Sequence, residues 1–366
     1  MPVKKITIEA FLSLAEQHPV FDVRSPGEYT HAHIPGAYSL PLFSDEERKV
    51  VGTTYKQQSK QKAIKAGLDY FGVKMKQMVE EVETIIKKNV LSGKNQALFQ
   101  EGTEAPVVIV HCWRGGMRSA GVAWLLDLYG FNVYTLVGGY KAYRKWVNEV
   151  FNQPYTMKVL GGFTGSNKTG VLETMERKGL PVINLESLAN HKGSAFGGIG
   201  QEPQPTQEMF ENKLATSLAK INPGIAGNEP CWIEDESQRI GVLTIPHPLW
   251  KTLRQQTVYF IEIPFEERLR FIVETYGSLN KEKLVNAIIR IQKRLGPLET
   301  KTVIGFILEE NITEAFRILL TYYDKTYHKS MLNRENPELL VNKIPLDSVD
   351  SLINSEKLLS CSPANT

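Results

Sequence analysis

The sequence predicts two α/β domains in tandem, the first carrying a helical insertion and the second built around a glycine-rich loop. Three observations predict it. The chain has 366 residues, more than a single average domain uses, because one hydrophobic core stops growing before that length. Residues 105–110 form a nearly continuous β-branched run that ends in His111-Cys112 and leads into a glycine loop and a helically spaced segment, the order of a strand, loop, helix unit. The same order recurs at residues 158–160, 162–169 and 170–177.

Composition agrees with two packed cores. Hydrophobic residues make up 42% of the chain, charged residues 23% and aromatics 9%, which is the balance of an ordinary folded domain and not of a disordered or fibrous chain. The first twenty residues are interrupted by Glu9, Glu16, His18 and Pro19, so they lack the apolar stretch of a signal peptide or membrane helix. No later segment approaches a membrane span, and no membrane association is expected. The cysteines, Cys112, Cys231 and Cys361, are far apart, with neither the even framework of a disulfide protein nor the paired spacing of a zinc site. A cytoplasmic location follows as the expectation. A net charge of +3 is too small to argue for nucleic acid by itself, so local clustering of Lys and Arg has to decide.

Taken in order, residues 20–23 read as a short buried strand that delivers Asp22 to the turn Arg24-Ser25-Pro26-Gly27. Residues 44–100 are longer and more polar, with a helix-compatible stretch at 75–88, and read as the insertion. After the strand at 105–110, residues 119–129 have helical apolar spacing, Gly130 ends them, and 133–137 supply another strand closed by Gly138-Gly139. The first domain thus spans 1–150, and 151–157, with Pro154, reads as the linker. The second domain spans 158–330, with strands at 181–185, 231–233 and 258–263 and helices at 265–276, 281–295 and 312–323. Residues 331–366 are polar and read as a C-terminal tail.

The string from His111 through Cys112, Trp113, Arg114, Gly115, Gly116, Met117 and Arg118 to Ser119 sits where backbone N–H groups can turn inward around the sulfur. Together with Arg114 and Arg118 they favour thiolate, the nucleophilic form. Gly115 and Gly116 let the loop curl around an anion, with Ser119 at its end. Cys231, before Trp232 and Ile233, reads as a buried and inert thiol, and Cys361 as incidental.

Asp22-Val23-Arg24-Ser25-Pro26-Gly27-Glu28-Tyr29, followed by His31-Ala32-His33-Ile34-Pro35-Gly36-Ala37, resembles the N-terminal rhodanese signature. The Cys112 loop with Gly138-Gly139 resembles its second half. Ala32 stands where that family often has Gly, a mild departure. The interval from Cys112 to Arg118-Ser119 also matches the cysteine-phosphatase signature, although the loop holds no Asp to serve as general acid. Sulfur-transferring rhodaneses resemble this loop but are one residue tighter, and the wider ring favours a phosphate-bearing chalcogen donor over thiosulfate.

Gly162-Phe163-Thr164-Gly165-Ser166-Asn167-Lys168-Thr169 follows a strand and opens a helix, the setting a P-loop requires, with N–H groups and Lys168 around phosphates. Asn167 replaces the glycine before the lysine. Asn tolerates left-handed backbone, so phosphate binding can survive while efficient nucleotide hydrolysis is not expected. Asp235, at the end of a strand, is a candidate metal support, and His191 and Ser194 lie in a glycine-rich loop suited to substrate contact. The insertion carries Lys56, Lys60, Lys62 and Lys65, with Lys74 and Lys76, interleaved with Tyr55, Tyr70 and Phe71, a pattern that can neutralise phosphates and stack on bases. Arg290, Lys293 and Arg294 form a second cluster.

A rhodanese-like α/β domain with a helical insertion, followed by a P-loop-type α/β domain, resembles the family of bacterial tRNA 2-selenouridine synthases, over about 330 residues. The resemblance implies a tRNA with wobble 2-thiouridine as partner, geranyl diphosphate and selenophosphate as substrates, and an S-geranyl intermediate. It also implies that Cys112 carries selenium, that residues 162–169 hold a diphosphate or phosphate, and that no cofactor is tightly bound. Mg²⁺ through Thr169 and Asp235, and an enzyme that supplies selenophosphate, are compatible with it. A cysteine phosphatase, a rhodanese-type sulfurtransferase and a nucleotide-binding regulator remain as alternatives.

Overall fold

Parallel strands covered on both faces carry their buried residues without alternation, as β-branched Val107–Val110 before the first loop and buried Val159–Gly162 before the second do. The computed structural model describes residues 3–91, 105–221 and 230–361, and they divide into two units, residues 1–149 and 150–366. The first unit runs β1 (Lys4–Ile6), α1 (Ile8–Ala15), β2 (Val20–Asp22), α2 (Pro26–His31), β3 (Tyr38–Ser39), α3 (Asp45–Gln57), α4 (Lys60–Leu91), β4 (Val107–His111), α5 (Met117–Tyr129), β5 (Asn132–Leu136) and α6 (Gly139–Val150). Its sheet, in the order β1-β5-β4-β2-β3, is parallel throughout. Strand β4 is central, so Cys112 emerges at the carboxyl end of the middle strand, where α/β sheets bind ligands.

The described part of the insertion, residues 44–91, is a helical hairpin, and residues 92–100 lie outside the described residues. Helix α3 starts with a capping box made by Ser44 and Glu47, and Lys74 of α4 pairs with Glu47. Helix α4 is far longer than the 75–88 stretch, because its apolar face does not end there: Phe71, Met78, Val82 and Ile86 enter the core that holds Val108, Val110 and Leu126. Phe71 is therefore a core residue and does not stack on bases, whereas Tyr55 is exposed.

The second unit runs β6 (Met157–Gly162), α7 (Lys168–Arg177), β7 (Val182–Ile183), α8 (Leu185–Ala189), α9 (Gln207–Ala219), β8 (Cys231–Glu234), β9 (Arg239–Ile240), β10 (Leu243–Thr244), α10 (His247–Arg254), β11 (Val258–Glu262), α11 (Phe265–Tyr276), α12 (Lys281–Leu295), α13 (Pro297–Leu308), α14 (Ile312–Leu332), α15 (Pro337–Leu340), β12 (Val341–Pro345) and α16 (Ser351–Ser360). Its main sheet, β12-β11-β6-β8-β7, is also parallel. Residues 151–157 are not an exposed tether: Phe151 and Tyr155 are buried, and the Tyr155 hydroxyl donates to the Val150 carbonyl at 2.9 Å.

The reading of residues 331–366 as a tail is corrected. Strand β12 adds to the sheet beside β11, Ile344, Leu346 and Leu358 are buried with Leu160 and Ile261, and Lys178 of α7 pairs with Glu356 of α16. An edge strand shows much of itself to solvent, so its polar residues hid it; residues 362–366 lie outside the described part. Among the described residues no helix is long and apolar enough to cross a membrane.

Candidate active site

The cysteine loop is held from below by close backbone contact. Gly115 has φ +64° and Gly139 φ +57°, and a Cβ on Gly139 would lie 2.2 Å from the Cys112 carbonyl oxygen, so only glycine lets the loop rest on the start of α6. Tyr140 and Lys141 then donate their N–H groups to the carbonyls of Cys112 (2.8 Å) and Trp113 (3.0 Å).

Around the sulfur, Gly116 N–H donates to Sγ at 3.4 Å and the Ser119 hydroxyl lies 3.2 Å from it. Burial pushes the Cys112 thiol up, but the Ser119 hydroxyl and the N–H groups of Ser119, Arg114 and Gly116 outweigh it, leaving the thiol below its ordinary value. This is the nest expected of the loop, formed at the N-terminus of α5. His111 next to it is fully buried and burial pushes its pKa down, so the neutral ring packs beneath the loop without adding charge.

The two loop arginines have separate fates. Arg114 is exposed, while Arg118 donates to Glu28 Oε2 at 2.7 Å and does not reach the sulfur as a lone cation. The same oxygen takes Arg48 of α3 at 2.8 Å and the Ser25 N–H at 3.2 Å. Glu28 thus ties the cysteine loop to the helical hairpin, a role that reading motifs one at a time missed. Below it, Arg24 is buried, grips Asp22 through two nitrogens at 2.6 and 2.9 Å and lies 3.8 Å over the Tyr140 ring.

In the second unit, Asn167 adopts φ 53° and ψ 42°, the left-handed geometry that the residue before the lysine requires. Its side chain accepts from Gly170 N–H at 3.3 Å, capping α7. Lys168 donates to the Gly162 carbonyl at 3.2 Å, folded across the loop. Arg268, missed from the sequence because it lies in the middle of a helical pattern, is buried. It pairs with Asp324 at 2.9 and 2.8 Å and donates to the Thr164 carbonyl at 3.0 Å, bracing the loop from behind.

Asp235 is not the carboxylate at Thr169. It pairs with Arg334 and accepts from the Tyr327 hydroxyl at 2.7 Å, because the strand turns it toward α14 and the segment after it. Instead the Thr169 hydroxyl lies 2.6 Å from Glu186 and 3.2 Å from Glu234. Burial, then repulsion from Glu186, pushes Glu234 well above the carboxylate range, and the same two effects push Glu236 up to about 8.

Thr164 through Thr169, Glu186, Glu236, His191 and Ser194 line one cavity of about 1220 Å³. Helices α11 and α14 give it an apolar and aromatic wall of Phe271, Ile272, Tyr276, Phe316, Leu319 and Tyr323, and exposed Arg290 and Arg294 also line it. The structure therefore brings together the P-loop, His191 and Ser194. His191 has a buried Nδ1 with no hydrogen-bond partner, and Ser194 Oγ accepts from Phe196 N–H at 3.2 Å. Lys56, Lys60, Lys62 and Lys65 are elsewhere, exposed on the hairpin of the first unit.

Residues 7–145 match the rhodanese-like domain, and residues 155–345 match the tRNA 2-selenouridine synthase AAA domain. The chain is 34% identical over 302 residues to the tRNA 2-selenouridine synthase of Nitrosomonas europaea, covering 81% of this chain and 73% of that one. It is 31% identical over 377 aligned positions to that of Bdellovibrio bacteriovorus, covering 91% and 94%, and 34% identical to that of Shewanella piezotolerans, covering 81% of each. A cysteine nest on a rhodanese-like sheet and a P-loop cavity on a second sheet, matched over most of the chain by these relatives, place the protein in the tRNA 2-selenouridine synthase family.

Proposed function

We propose that this enzyme replaces the sulfur of 2-thiouridine in tRNA with selenium in two steps, a geranyl transfer from geranyl diphosphate and an exchange using selenophosphate. The observation that carries the assignment of the first step is the cavity, which joins a phosphate-binding loop to an apolar wall. A prenyl diphosphate has that same division, an anionic head and a hydrocarbon chain. The head would take the N–H groups of residues 164–169 and Lys168, and the Ser166 hydroxyl, buried without a protein partner, would supply a further donor.

The sulfur of the base attacks the first carbon of the chain, the carbon–oxygen bond breaks, and the diphosphate leaves with the electron pair. Lys168 would stabilise the charge that develops on that leaving group. A Mg²⁺ ion beside the diphosphate would be held by Thr169 with Glu186 and Glu234, not by Asp235, and would neutralise phosphate charge. No group of three or more His, Cys, Asp or Glu side chains suited to a metal exists among the described residues, so such an ion would depend on the substrate's own oxygens.

Alkylation makes the sulfur a better leaving group, and the Cys112 thiolate serves the second step, in which selenium displaces the geranyl thiolate from C2. The exposed lysines of the hairpin would contact tRNA phosphates. The test is mass spectrometry of nucleosides from 2-thiouridine-bearing tRNA after incubation with the full chain and both donors. 2-Selenouridine is expected, and unchanged 2-thiouridine would overturn the reading.

A further inference from the structure

We propose that Arg290 and Arg294 of α12 hold two phosphates of the tRNA strand beside the reacting base, so that the cavity of the second unit receives its polyanionic substrate over α12. This rests on the function proposed above and adds to it the surface on which the RNA lies. The chemistry asks for such a surface. Geranyl transfer joins the base sulfur to a carbon of the donor, so the RNA strand has to reach the cavity that holds the donor's diphosphate. An anionic strand beside an anionic donor needs cations of its own.

Five Lys and Arg side chains line that cavity: Lys168, Lys192, Arg239, Arg290 and Arg294. Two of them are engaged. Lys168 and Lys192 face Glu186, whose pKa burial raises against the pull of the two lysines, and Lys168 is also folded across the P-loop. Arg239, Arg290 and Arg294 are exposed and enter no ion pair among the described residues. Of these three, only Arg290 and Arg294 share an element. Four residues apart in α12, they stand one turn apart on one face, with Cβ atoms about 5–6 Å from each other. Two guanidinium groups in a row suit successive phosphates of a strand, because each planar fork takes two oxygens of one phosphate.

The surroundings agree with a strand. Residues 283–298 contain no acid, so nothing on α12 beyond its first turn competes for the arginines. Lys293 of the same helix and Lys301 of α13, both exposed, line a second hollow of about 600 Å³, which carries the positive surface beyond the cavity. Burial, then Arg290, pushes the His191 pKa down, and burial pushes Tyr323 up while Arg294 pulls the other way. Arg290 therefore borders the glycine-rich loop, and Arg294 borders α14. The half-buried Tyr322 ring, edge-on to Tyr323 with centroids 5.2 Å apart, lines the same cavity and offers a face on which an unpaired base can stack.

The experiment measures binding of a 2-thiouridine anticodon stem-loop to the full chain by fluorescence anisotropy at several salt concentrations. It compares wild type, Arg290→Gln/Arg294→Gln, Arg290→Lys/Arg294→Lys and a control, Lys220→Gln/Lys251→Gln, which removes the same charge from exposed positions outside the cavity. Inorganic diphosphate binding by calorimetry and steady-state geranyl transfer are followed on the same proteins, with thermal melts confirming that each folds. The Gln pair should bind the stem-loop about tenfold more weakly and raise KM for RNA, with diphosphate affinity unchanged. Its slope of log affinity against log salt should shrink by about 1.4, since each single-strand phosphate contributes about 0.7. The Lys pair should keep most of that slope, because the charge remains. Unchanged stem-loop affinity in the Gln pair, an equal loss in the control, or a loss of diphosphate affinity in place of RNA affinity would overturn the proposal and leave geranyl transfer standing. If the wild type bound the stem-loop yet transferred no geranyl group to it, the functional reading would fail, and this proposal with it.

Discussion

Burial alone would push the Cys112 thiol up, and three backbone N–H groups with one hydroxyl outweigh it, leaving the thiol below its ordinary value. Because the pKa lies below the ordinary thiol value, deprotonation is complete at lower pH. Iodoacetamide alkylation should therefore reach its plateau below the pH at which a free cysteine does, about 8.5. Ser119→Ala should move that midpoint upward, and an unchanged midpoint would remove Ser119 from the nest. Glu28→Gln should also lower the alkylation rate at neutral pH, because Arg118 and Arg48 lose a shared carboxylate and the first turn of α5 is released. Most of this loop was legible in the sequence, since a β-branched strand followed by Cys, Arg and Gly residues fixes where the N–H groups turn. The Glu28 tether was not, because it joins residues 90 positions apart and only the folded hairpin supplies Arg48.

The P-loop illustrates how one residue's backbone preference sets an element. Asn167 takes the left-handed geometry with its side chain capping α7, so Asn167→Gly should preserve phosphate binding, while a β-branched Asn167→Val should disrupt the loop. Inorganic diphosphate binding by calorimetry separates the two. The acidic residue expected beside Thr169 was displaced by one position, from Asp235 to Glu234, because strand alternation sends neighbouring side chains to opposite faces and sequence does not show which face meets the loop. Glu236 gives a pH signature to this element. Its pKa is raised from 4.5 to about 8, so the folded state holds a proton that the unfolded state has lost. The stability of the ligand-free protein should fall as pH rises from about 4.5 through about 8, read by thermal melts. A melting temperature that rises across that range would contradict the buried carboxylate cluster.

At the scale of the whole molecule, both sheets were legible as strand, loop, helix repeats, while their edges were not. Strand β12 shows only Ile344 fully to the core, too little pattern to read. Ile344→Ala should nevertheless cost about 2–5 kcal/mol, as a buried aliphatic truncation does, in a denaturant titration; a loss near zero would restore the tail. The helical hairpin offers the complementary test on tRNA. Reversing Lys60, Lys62 and Lys65 to Glu should weaken tRNA binding and flatten its salt dependence, while alkylation of Cys112 stays unchanged. If geranyl transfer takes place in the P-loop cavity and selenium exchange at the cysteine loop, as proposed, the nucleoside that accumulates in each variant tests that division most directly. With both donors present, Cys112→Ala should stop at S-geranyl-2-thiouridine, and Lys168→Ala should leave 2-thiouridine yet convert tRNA supplied already geranylated. Accumulation of the same nucleoside in both variants would contradict it.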